Sequence, residues 1–237
     1  LYYGEFFFRN KEYDKARKKY LEAYEIFNRL FGQNNRDRAY AILKLGEILL
    51  AEGKEKEALQ TLQDAMVAMI PLYSNRNPLH LPSPLPQVPE YYLPGVLYNK
   101  ATALFKLWEK TGDTAYLMNS GRHYRACITL TDRIRSLYTS DESIIQLSQN
   151  IRKYIEDAMK ASIAIYKYTG DEKYLAEAFD YSDRSKSALL LLAFRDLDEI
   201  SLGAVPRVVL EEEKSLRNRI MGYKKLIYDQ EISGKPN

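Results

Sequence analysis

The chain has 237 residues, 46% of them hydrophobic and 28% charged, with a formal charge of +3, the balance of an ordinary soluble globular protein. So small and so evenly mixed a charge argues against nucleic acid as a partner. No apolar run approaches a membrane span, Ala188 to Phe194 being the longest, and the single cysteine, Cys127, excludes an internal disulfide and fits a reducing, cytoplasmic setting.

The chain opens on Leu1 rather than Met, inside what reads as a helix and without the apolar segment and cleavage site of a signal peptide. A piece of a longer protein is therefore expected. "YYGEFFFRNKEYDKARKKYLEAYEIF" and "KLGEILLAEGKEKEALQTLQDAMVAM" superpose with a shift of 42, setting Gly4 on Gly46, Phe7 on Leu49, Ala16 on Ala58, Tyr20 on Leu62 and Ala23 on Ala65. Small residues at these points let two antiparallel helices approach closely, and the large ones fill the space between helix pairs. The pattern predicts two helical hairpins within 1–73.

Seven of the nine prolines then fall between Pro71 and Pro94. That density breaks any helix, so residues 74–94 read as an extended, partly polyproline-like strap over the repeats. Two longer hairpins are expected over 95–202. "WEKTGDTAYL" at Trp108 returns as "YKYTGDEKYL" at Tyr166, a shift of 58, with Gly112 and Gly170 placed to end one helix and Asp113 and Asp171 to cap the next. Stacked copies of such hairpins make one continuous core that no single copy could form. After the breaker Gly203–Pro206, residues 203–237 read as a linker helix with an apolar stripe at Val209, Leu216, Ile220, Tyr223 and Ile227.

Residues suited to chemistry are few. His123 and Cys127 lie four apart, as two metal ligands on one helix face would. Cys127, however, falls where the repeat takes a small core residue and His123 corresponds to Tyr181, so both read as core. Glu211–Glu213 complement a helix dipole. Neither a catalytic site, a metal nor a cofactor is expected in this chain. What remains is surface. By register the first helix of each hairpin faces a concave groove, through Glu5, Phe8 and Arg9, then Tyr40, Leu43, Glu47 and Leu50, then Tyr98, Thr102, Phe105 and Lys106. Large amphipathic side chains of this kind suit a protein or peptide ligand.

The spacing of Gly, then a large residue, Ala, an aromatic and Ala resembles the tetratricopeptide repeat, which implies an all-α, right-handed superhelix of helical hairpins. The carboxyl half is more specific. Asp183–Leu190, Gly203–Pro206 and Glu211–Leu216 resemble the last repeats of bacterial tetratricopeptide proteins that carry a caspase-like CHAT protease domain. That resemblance implies a recruiting or regulatory arm cut off before its protease, whose catalytic residues lie in the later domain. Two other readings stay open: a free-standing scaffold that dimerises through the last helix, and a regulator that senses a peptide in the groove.

Overall fold

The computed structural model describes residues 1–32, 35–87, 89–137 and 141–201, and beyond them 208–209, 211–212, 215–216, 219–220, 222–223 and 226. All regular structure among these residues is α-helical. Eight helices follow in order: α1 Tyr2–Arg9, α2 Tyr13–Phe31, α3 Arg36–Ala51, α4 Glu55–Met69, α5 Leu93–Thr111, α6 Thr114–Leu137, α7 Asp141–Thr169 and α8 Glu172–Ser201. The described residues between 208 and 226 are also helical, while Gly203–Pro206 lie outside the described residues. The chain divides into two compact units, Leu1–Cys127 and Ile128–Asn237.

In the first unit α1 packs on α2, α2 on α3, α3 on α4 and α4 on α5. The repeated small residues explain how the pairs close. A Cβ on Gly4 would stand 2.7 Å from the Tyr20 ring, and one on Gly46 would stand 2.7 Å from Leu62 Cδ2. Ala16, Tyr20, Ala58, Leu62 and Ala65 are wholly buried, so the equivalent positions of the two repeats build equivalent parts of one core.

The turns repeat as closely as the helices. Between α1 and α2, Lys11 N–H donates to Phe8 O and Glu12 N–H to Phe7 O; between α3 and α4, Gly53 donates to Leu50 and Lys54 to Leu49. These are the same bonds shifted by 42 residues, but Lys11 holds φ 60° where Gly53 holds φ 73°. A left-handed conformation costs a residue with a Cβ about 1–2 kcal/mol, part of which glycine returns through its freer unfolded chain. Lys11→Gly is therefore expected to stabilise the first unit by about 0.5–1 kcal/mol. Urea unfolding followed through Trp108, the one tryptophan, checks this.

The two "TGD" turns are also built alike. Gly112 and Gly170 have φ 70° and 69°, Asp113 Oδ1 accepts from Ala115 N–H at 2.9 Å, and Asp171 Oδ1 accepts from Lys173 N–H at 3.1 Å. In each copy the threonine hydroxyl donates back to the helix, Thr111 to Leu107 O and Thr169 to Ile165 O. In the second unit α7 packs on α8, burying Ala161, Ile165, Tyr174, Ala178 and Tyr181.

Among its described residues, the stretch between Met69 and Leu93 has only turns and bends. Helix α5 begins at Leu93, two residues earlier than the proline count suggests, because Pro94 sits in its first turn, where a missing N–H costs nothing. The strap is held by side chains of the helices beneath it. Gln63 of α4 donates to Asn75 O at 2.5 Å and to Tyr73 Oη at 3.2 Å. Lys100 of α5 donates to His80 O at 3.2 Å and also to Gln63 Oε1, and Tyr73 Oη meets His80 Nδ1 at 2.7 Å.

Lys100, Gln63 and His123 of α6 are all fully buried. Burial pushes the Lys100 ammonium down to about 7. Burial, with Lys100 close by, pushes the His123 ring down to about 3. His123 Nδ1 lies 2.8 Å from Asn119 O, and the His80 backbone also faces the ring.

Candidate functional site

Helices α1, α3 and α5 share a face that polar side chains tie together. Lys44 of α3 is its centre: Nζ lies 3.1 Å from Glu5 Oε2 on α1 and 2.9 Å from Glu47 Oε2 on its own helix. Glu5 also accepts from Arg9 Nε at 3.2 Å and from Tyr20 Oη at 3.1 Å. On the other side Asn99 Nδ2 of α5 donates to Glu47 Oε1 at 3.2 Å and to Gly95 O at 2.9 Å. The result is a polar bridge across three helices, fixed in place before any ligand arrives.

Aromatic rings flank the bridge. The Lys44 ammonium lies 5.6 Å from the Phe8 ring and 5.5 Å from Tyr40, within reach of the ring quadrupoles. Tyr40 packs on Tyr92 with ring centroids 4.3 Å apart, and the Arg36 guanidinium lies 5.0 Å over Tyr92. Burial would raise the Glu5 carboxyl, but the Lys44 charge and hydrogen bonds from Lys44, Arg9 and Tyr20 hold it below the ordinary value. Burial opposes the Lys44 charge, yet Glu47, Tyr40 and Glu5 raise it above the ordinary lysine. Burial pushes the Tyr40 hydroxyl up to about 12. The site therefore carries two carboxyl groups and the Lys44 amine beside half-buried aromatic rings.

Of the side chains expected on this face, Glu5, Phe8, Tyr40, Glu47, Thr102, Phe105 and Lys106 are half-buried and Arg9 is exposed. Leu43, Leu50 and Tyr98 are 3%, 6% and 6% exposed and belong to the core, which corrects their assignment to an open surface. Tyr98 packs on Tyr124 of α6, the other helix of its own hairpin, at 5.9 Å. Thr102 Oγ1 donates to Tyr98 O at 3.0 Å and meets Tyr124 Oη at 3.1 Å. Phe105 packs edge-on against Trp108, and Lys106 Nζ reaches Leu50 O at 3.5 Å. Lys44, Tyr92 and Asn99 were not foreseen. Lys44 was detectable, lying four residues after Tyr40 and three before Glu47 on one helical face.

In the carboxyl-terminal stripe Val209, Leu216, Ile220 and Tyr223 are 49–57% exposed; Ile227 lies outside the described residues. Cys127 and His123 are buried. Among the described residues there is no group of three or more side chains able to hold a metal ion, and no helix long and apolar enough to cross a membrane.

Comparison with known families bears on the repeats that build this face. Residues 1–67 match the tetratricopeptide repeat. Repeats of this kind serve as protein–protein interaction modules. The matched segment holds α1, α2, α3 and all but the last two residues of α4, and with them Glu5, Phe8, Tyr40, Lys44 and Glu47. The chain is also similar to a crystal structure of nearly identical TPR-like repeats from a Podospora anserina protein described as a kinesin light chain. The identity is 14% and the TM-score 0.41, over 82% of this chain and 91% of that one. No curated protein matches the chain.

Proposed function

We propose that the chain is a non-catalytic interaction module that holds a peptide segment of a partner against α1, α3 and α5, and that it recruits substrate to, or regulates, a caspase-like CHAT protease domain carboxyl-terminal to it. The observation that carries the peptide reading is the Glu5–Lys44–Glu47 bridge with Phe8, Tyr40 and Tyr92 around it. Its charged groups are held in place by one another, and its rings offer rigid anchors of the kind that dominate interfaces.

The test is a selection of displayed peptides against the whole chain, followed by titration. Tyr40→Ala is expected to weaken the selected peptides by about tenfold, since a truncated aromatic anchor costs more than about 1 kcal/mol. Peptides that bind Tyr40→Ala and Phe8→Ala as tightly as the parent would remove this face from the account.

The protease reading rests on the resemblance of Asp183–Leu190 and Glu211–Leu216 to repeats that precede such a domain. The exposure of Val209, Leu216, Ile220 and Tyr223 supports a docking role for the last helix, with the protease domain as its cover. In a parent without that domain the same stripe is the seam of a homodimer. The parent coding sequence past Asn237 separates the two: a further domain with a well-separated His and Cys supports the first, and an early stop the second.

A further inference from the structure

Residues 73–80 of the strap form a turn with bonds of its own. His80 N–H donates to Asn77 O at 3.0 Å, Leu79 N–H to Asn77 Oδ1 at 3.0 Å and Asn77 N–H to Asn75 Oδ1 at 2.9 Å. The Tyr73 hydroxyl meets His80 Nδ1 at 2.7 Å and joins the two ends. A segment bonded to itself in this way can lift from the helices as one piece, without unfolding them.

Its polar fastenings to the helices are of two kinds. At the surface, Gln60 Nε2 reaches Arg76 O at 3.4 Å and Arg76 pairs with Asp64 at 2.7 Å, contacts worth little in water. Beneath, Gln63 donates to Asn75 O and Tyr73 Oη, while Lys100 Nζ donates to Gln63 Oε1 and His80 O. Gln63 and Lys100 are wholly buried, so the closed turn hides polar groups that water would otherwise reach.

The Lys100 site is made for an amine rather than an ammonium. It offers two acceptors, both neutral oxygens, which match the two N–H bonds of a neutral amine; the third proton of an ammonium would have none. The titratable and charged groups around it are the His123 ring of α6, with Arg122 acting on that ring, and Tyr73 and His80 of the strap. Burial pushes the Tyr73 hydroxyl up, which keeps it neutral, and no carboxylate contributes to the shift of Lys100. A buried cation without a counter-charge is costly, and that cost vanishes once water reaches it.

We infer that the turn 73–80 is a latch operated by Lys100: it closes over the neutral amine and lifts when the amine takes up a proton. The sign follows from linkage. The closed state lowers the amine from 10.5 to about 7, and lifting the turn restores the ordinary value, so the open state binds a proton that the closed state refuses. Closure is strongest above pH 10.5 and weakens by up to about tenfold per pH unit until the closed amine is itself charged near 7. Lifting uncovers Gln63, Lys100 and the side of His123 that faces the His80 backbone.

The experiment is amide hydrogen exchange of the whole chain between pH 9 and pH 7.5, read by mass spectrometry and corrected for intrinsic exchange rates. Peptides spanning 73–80 report the latch, and peptides spanning Leu43–Leu50 of α3 report the core of the same unit. In the parent chain the opening constant of 73–80 is expected to rise about tenfold or more from pH 9 to pH 7.5, exceeding any change in α3. Lys100→Met, which removes the titrating group and keeps an apolar filling, should make the opening of 73–80 independent of pH over this range, whatever its level. Should that variant lose protection in α3, Lys100→Gln, neutral and still a donor, carries the same comparison. The inference is overturned if the parent shows no rise, if the rise persists in the Lys100 variants, or if 73–80 and α3 open together.

Discussion

Leu62→Ala is expected to destabilise the first unit by about 3 kcal/mol, the usual cost of a cavity at a wholly buried leucine. The more telling result is its coupling to Gly46. In the parent chain, Gly46→Ala places a Cβ 2.7 Å from Leu62 Cδ2 and 2.8 Å from Cγ. Overpacking of this kind costs about 1–3 kcal/mol, against roughly 1 kcal/mol returned by alanine's better helix propensity. A net loss of about 0–2 kcal/mol is expected. With Leu62 already alanine the clash is gone, and Gly46→Ala should become neutral or stabilising. Urea unfolding of the four chains, followed through Trp108 in α5, reads the cycle in the unit to which both residues belong. Additive effects would mean that α3 and α4 do not meet at these two residues.

The second large effect is on pH. His123 has an ordinary pKa of 6.5 and about 3 in the native chain, so the unfolded chain binds a proton there that the native chain refuses. Its contribution to stability is complete above pH 6.5 and drains away as the pH falls toward 3, to a total on the order of 5 kcal/mol. Lys100, lowered from 10.5 to about 7, acts in the same sense in a higher window: stability is complete above pH 10.5 and falls until the native lysine is charged near 7. The groups facing this pair are Gln63, the carbonyls of His80 and Asn119, and Arg122, with no carboxylate among the causes of either shift. His123→Leu should flatten the acid limb beyond what the surface carboxylates cause, and Lys100→Met the alkaline one. Parallel stability–pH curves for parent and both variants would show that the two groups are not buried as described.

What the sequence revealed, and what it hid, follows from distance along the chain. Gly4, Gly46, Ala16, Ala58 and the two "TGD" turns were legible because each acts on a helix a few residues away, and the same local problem recurs at a fixed shift. The small-residue reading of Cys127 and the equivalence of His123 with Tyr181 came from the same register. The burial of Leu43, Leu50 and Tyr98 was not legible, since a helical wheel gives a direction but not what packs across it. Lys100 was invisible as a buried group. A lysine in mid-helix reads as solvated until the strap, twenty residues earlier at His80, folds back over it. The Glu5–Lys44 half of the bridge escaped for the same reason, as it needs two hairpins in contact before the charges meet.

The central claim is that the face built by α1, α3 and α5 is where a partner is held. The most direct measurement is backbone amide NMR of the whole chain during titration with a peptide from the unbiased selection. The account predicts shifts concentrated around Phe8, Tyr40, Lys44, Glu47 and Asn99. Shifts confined to α2 and α4, or spread evenly over the chain, would contradict it.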